Sequence, residues 1–76
     1  MKRDYHINVF YSAEDRGYIA DIPDLVACSA FGKTAEEAVR EVTIAKKAWL
    51  RSARALGKPV PEPRYRPAIY QAAHLP

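Results

Sequence analysis

A chain of 76 residues with three glycines, six prolines and a single cysteine makes one domain. At that length only about 60% of the unfolded surface is buried on folding, so stability is marginal unless subunits pair, and homo-oligomerisation is expected. One unpaired thiol excludes a disulfide scaffold and fits a reducing compartment, with Cys28 expected as a small buried hydrophobe rather than a nucleophile. The net charge of +3 is uneven: residues 1–33 carry four bases against five acids, and residues 34–76 carry eight bases against four acids.

The N-terminal MKRDYHINVF carries charge and then alternation, without an apolar run long enough for a signal peptide or a membrane span, so a soluble cytoplasmic protein with no membrane association is expected. YHINVFY alternates with the period of a half-buried strand, with Tyr5, Ile7, Val9 and Tyr11 on one face and His6, Asn8 and Phe10 on the other. AEDRG reads as a turn with Gly17 supplying a positive φ, and YIADI resumes the alternation, so residues 4–22 predict a β-hairpin. Pro23 lacks an amide proton and ends the second strand; PDL turns the chain into a short third strand at residues 27–31, closed by Gly32.

Thr34 and Glu37 have the spacing of a capping box. From Ala35 to Leu56 a stripe of Ala35, Ala38, Val39, Val42, Ala45, Trp49, Ala53 and Leu56 predicts one long helix that lays this face on the sheet. Gly57 is the expected C-terminal cap, and Pro59 blocks continuation. PVPEP is extended, and RYRPAIYQA predicts a short fourth strand that Pro67 confines to an edge. The expected fold is therefore α+β, in the order β-β-β-α-β: an antiparallel three-stranded sheet, a short fourth edge strand and one helix on one face. A single domain covers residues 1–76, with its core at about residues 4–63 and a tail at 64–76.

The chemistry-bearing residues point away from catalysis. A metal-dependent nuclease needs several carboxylates converging on its ions, whereas the first strand has none internally and Asp21 stands alone late in the second, near the turn acid Asp24. Glu36, Glu37 and Glu41 serve the helix start and its solvation. His6 and His74 have no Ser, Cys or acid at a telling spacing, and the three glycines form no phosphate loop. No catalytic residue, metal or cofactor is expected. Arg40, Lys47 and Arg54 recur every seven residues, with Arg51 adjoining, and line one helix side as a candidate contact for phosphates or a partner. On the sheet, His6, Phe10, Ile19 and Phe31 are the candidate oligomer interface.

RGYIADIPDLVACSAFGKTAEEAV, followed later by GKPVPEP, resembles the HicB-type antitoxin family. Matching positions are Gly17, Tyr18, Pro23, Asp24, Leu25, Cys28, Gly32, Thr34, Glu36, Glu37, Ala38, Gly57, Pro59, Pro61 and Pro63, while Val26, Ala27 and Lys33 replace the usual Pro, Gly and Asp. The resemblance implies a trimmed ribonuclease-H-like fold without catalytic acids, which binds and blocks a small basic RNA-cleaving toxin of the HicA type. In that family a separate C-terminal segment binds operator DNA; thirteen residues after Pro63 are too few for it, so specific operator binding is not expected. The reading is a toxin-neutralising binding module. The alternative is a small nucleic-acid-associated protein that holds phosphate backbones non-specifically through Arg40, Lys47, Arg51 and Arg54, and a residual nuclease stands third.

Overall fold

The computed structural model describes residues 4–67. Three strands and a helix follow in order: β1 (Asn8–Ser12), β2 (Gly17–Asp21), β3 (Ser29–Gly32) and α1 (Ala35–Ala55). The sheet is antiparallel in the order β1-β2-β3, and α1 lies on one face, chiefly over β3 and β2. This is the expected α+β arrangement, but without a fourth strand among the described residues, because 58–67 is irregular. The amides of Arg64 and Tyr65, which a strand would offer to a neighbour, instead both donate to the Asp24 carboxylate. The rest of the expected strand, with His74, lies outside the described residues.

In the hairpin, Val9 pairs with Ala20, Phe10 with Ile19 and Tyr11 with Tyr18; β3 continues the rows, Phe31 opposite Ile19 and Ala30 opposite Ala20. Paired residues share a face, so Val9, Tyr11, Tyr18, Ala20, Ala30 and Gly32 look toward α1. β1 begins at Asn8 rather than near Tyr5, although Tyr5 and Ile7 still pack on the core. The positive φ of the hairpin loop belongs to Arg16 (φ 55), not to Gly17. Gly17 is required for another reason: a Cβ there would lie 2.4 Å from the Phe31 ring, which covers this glycine from β3.

Two tight turns link β2 to β3. The Leu25 amide donates to the Ile22 carbonyl at 3.1 Å, the Cys28 amide to the Leu25 carbonyl at 3.3 Å, and the Ile22 amide to the Cys28 carbonyl at 3.0 Å. The turn carries core as well as direction, for Ile22, Leu25 and Cys28 are buried. Ala27 takes a positive φ of 57, at the position where the HicB-type pattern has Gly. The Trp49 indole N–H donates to the Val26 carbonyl at 2.9 Å and ties the turn to the helix.

Thr34 Oγ1 accepts the Glu37 amide at 3.1 Å, while Glu37 Oε1 accepts the Lys33 amide at 3.1 Å, so the capping box closes one residue earlier than its usual form. At the other end Gly57 (φ 69) gives its amide to the Arg54 carbonyl, and Lys58 gives its amide to the Ala53 carbonyl, a Schellman closure at the expected glycine. The buried cluster is Ala20, Ile22, Leu25, Cys28, Ala38 and Val42, with Ala45, Trp49 and Leu50 packed against it. Of the expected stripe, Ala35, Val39 and Leu56 are exposed: the short strands support only the middle of a 21-residue helix, and Leu56 lies past its last turn.

Candidate binding surfaces

The sheet face away from α1 brings Phe10, Ile19 and Phe31 into one row across all three strands. Phe10 and Phe31 are exposed and Ile19 is half-buried. A polar row of Asn8, Asp21 and Ser29 runs beside them. Alternation built this row: of the residues that face α1, Tyr18, Ala20 and Ala30 pack in the core while Val9 and Tyr11 stay exposed, and the intervening positions carry aromatics where a solvated sheet would carry polar groups. His6, expected in the same patch, is engaged locally. Its Nε2 lies 2.8 Å from Asn8 Oδ1 and its ring packs on Tyr65, with centroids 4.7 Å apart.

On the helix, the expected basic line divides. Lys47, Arg51 and Arg54 flank a shallow groove floored by Leu50, whereas Arg40 sits about two turns nearer the N-terminus, beside Glu36, Val39, Ile44 and Val9. The seven-residue spacing places them all on the outward side of α1; distance along the axis separates Arg40 from the others. Sequence reasoning missed a third feature, an apolar cleft of about 750 Å³ between Val26, Trp49, Leu56 and Pro59. Its signal was the helix C-terminus with too many apolar residues for one buried stripe.

Four of the carboxylates are engaged at separate places. Asp24 accepts the tail amides of Arg64 and Tyr65, Asp15 accepts the Ser12 hydroxyl, Glu37 accepts the Lys33 amide, and Asp4 pairs with Lys46 at 2.9 Å. Among the described residues no three His, Cys, Asp or Glu side chains gather as metal ligands would. Cys28 is buried, and burial pushes its thiol pKa up, with the nearby Asp21 charge adding to the effect. Burial likewise raises Tyr5, again with an acid adding to it, here Asp24. The Tyr5 hydroxyl donates to the Pro61 carbonyl and so clasps the tail to the N-terminal segment. Such groups are held in their neutral forms, which suits packing rather than nucleophilic attack. No helix among the described residues is long and apolar enough to cross a membrane.

Comparison with known proteins finds a UPF0150 protein, ssl0259, of Synechocystis sp., 38% identical over 53 residues that make up 70% of this chain and 73% of that one. No family model matches the chain, and no solved structure matches it.

Proposed function

The chain belongs to the UPF0150 family, and from that premise we propose that it is a non-catalytic binding module of HicB type that neutralises a small RNA-cleaving toxin of the HicA type by covering its RNA-facing surface. The carrying observation is the row of Phe10, Ile19 and Phe31, left uncovered by the described chain on the sheet face away from α1. A toxin of this kind is basic and the chain itself carries +3, so attraction between net charges cannot drive the encounter. An apolar row with Asp21 at its border lets two cationic proteins meet without opposing like charges. In this reading the sheet and helix form a partial ribonuclease-H-like scaffold, Glu37, Asp15 and Asp24 serve a cap, a turn and the tail, and the protein works in the cytoplasm.

The test titrates the chain into an RNA-cleavage assay run by the small basic protein encoded beside it. Suppression at one equivalent is expected, lost in Ile19→Ser, with no cleavage of RNA or RNA–DNA hybrid by the chain alone in magnesium or manganese. Undiminished toxin activity at excess chain defeats the proposal, as does metal-dependent cleavage that disappears in Asp21→Asn.

The groove formed by Lys47, Leu50, Arg51 and Arg54 favours a second reading, non-specific contact with phosphate backbones. Three cations around one apolar floor would hold a phosphate and stack a base without reading its edge.

A further inference from the structure

We propose that Asp21 receives an arginine of the partner protein, one that would otherwise hold an RNA phosphate, so that the outer sheet face stands in for RNA; this deepens the toxin-binding reading and rests on it. Of the side chains that the three strands place on the face away from α1, Asp21 is the only ionisable one. It stands in register between Asn8 and Ser29 and is half-buried. Among the described residues none donates a hydrogen bond to its carboxylate or forms an ion pair with it. The acids of the two neighbouring turns are engaged, Asp15 by the Ser12 hydroxyl and Asp24 by the amides of Arg64 and Tyr65. A chain with twelve Lys and Arg side chains against nine acids thus sets one unpaired carboxylate beside Phe10, Ile19 and Phe31. Its own nearby cations keep clear of the spot: Arg16 and Lys33 flank the Gly17 end of the strands, and Asp21 is at the other end.

The surroundings fit a guanidinium better than an ammonium. Ile19 is the next residue of β2 on that face, and its β1 partner Phe10 stands diagonal to Asp21, at a separation of about 7–8 Å that a long side chain can span. Phe31 leans the other way, its ring covering Gly17 beyond Ile19. A cation seated on Asp21 can therefore lay its stem along Ile19 and Phe10. Arginine is suited to this, because it is weakly hydrated, forks two hydrogen bonds onto one carboxylate and stacks on an aromatic face. Lysine is compact and strongly hydrated, and gives up more on leaving water. RNA offers the same pair of groups, anionic oxygens beside a ring, to any protein that holds it by phosphate contacts and stacked bases. An arginine committed to Asp21 is thereby withdrawn from RNA.

Calorimetric titration of the full chain against the small basic protein encoded beside it reads the contact. Asp21→Asn should weaken binding by about 30-fold or more, as removal of one member of a desolvated charge pair does, and Asp21→Glu should keep most of the affinity. Glu41→Gln removes the same charge from exposed α1 and should leave binding unchanged; an equal fall in both would reduce the effect to net charge and overturn the proposal. One arginine-to-alanine variant of the partner should show a cost that is not additive with Asp21→Asn, and the same variant should lose RNA affinity. Coupling to a cation that RNA does not use overturns the proposal. Where Asp21→Asn loses its far-UV signature, the unmodified chain decides by its Asp21 carboxyl carbon resonance, which should shift when the partner binds; a resonance unmoved at saturation overturns the contact. Inhibition of RNA cleavage that persists in Asp21→Asn at equal affinity removes this contact and leaves the toxin-binding reading standing, whereas no inhibition by the unmodified chain removes both. Sedimentation of the chain alone tests the other occupant: an oligomer that Asp21→Asn dissociates would assign the carboxylate to a second copy and overturn the proposal.

Discussion

Ala27 holds a backbone conformation that side chains resist, with φ at 57 and no glycine to relieve it. An L-residue in this region costs on the order of 1 kcal/mol or more, partly offset by the entropy a glycine loses on folding. Ala27→Gly should therefore stabilise the chain by on the order of 1 kcal/mol, seen as a rise of a few degrees in thermal midpoint. Tyr5 supplies a pH limit. Burial first, and the Asp24 charge second, raise its phenol above the ordinary 10.0, so the folded state binds this proton more tightly than the unfolded chain. Its contribution is complete below pH 10 and is lost as pH rises through the raised value. Tyr5→Phe should flatten stability against pH above 10, measured by urea midpoints, while losing the Pro61 bond at neutral pH. Single residues were unevenly legible. Cys28 as core follows from its type, whereas the sequence places at Gly17 the positive φ that Arg16 holds, because a glycine beside a turn has two possible uses. The second use, lying under Phe31, depends on a strand fourteen residues away.

The junction between β3 and α1 fixes the angle at which the helix meets the sheet. A Cβ added at Gly32 would stand 2.3 Å from the Ala38 nitrogen and 2.8 Å from its Cα, backbone atoms that cannot rotate aside. Gly32→Ala should destabilise by about 1–3 kcal/mol through overpacking, and chemical denaturation would show it as a lower midpoint with an unchanged slope. Elements themselves were readable where local rules act alone: the hairpin from alternation, the helix start from Thr34 and Glu37, its stop from Gly57. What departs among the described residues is decided by distant partners. At the start of the expected strand, the Arg64 and Tyr65 amides go to Asp24, forty residues earlier in the chain, and nothing in RYRPAIYQA announces that competition. The heptad spacing of Arg40, Lys47 and Arg54 gave the right side of the helix but not the break along its length, which depends on what lies beneath each turn.

For the molecule as a whole, the described cations stand mainly on the outward side of α1 and along the tail, whereas the uncovered Phe10 and Phe31 stand on the opposite sheet face. The second functional reading is therefore separable from the first. Any RNA or DNA binding should weaken steeply with salt, since it rests on counterion release. Replacing Lys47, Arg51 and Arg54 together by Ala should abolish it in a filter-binding assay, while Arg40→Ala, outside the groove, should leave most of it. Affinity unchanged from low to high salt would remove that groove from consideration. The bond between Trp49 and Val26 has an optical consequence. Trp49 is the one tryptophan in the chain, so all indole emission comes from the point where the turn grips the helix, and undocking should shift it to longer wavelength. That turn carries three of the six residues in the buried cluster, so it cannot leave while the remainder stays folded. Emission and far-UV ellipticity should then trace one urea transition, and an emission shift that precedes helix loss would reveal a turn able to open on its own.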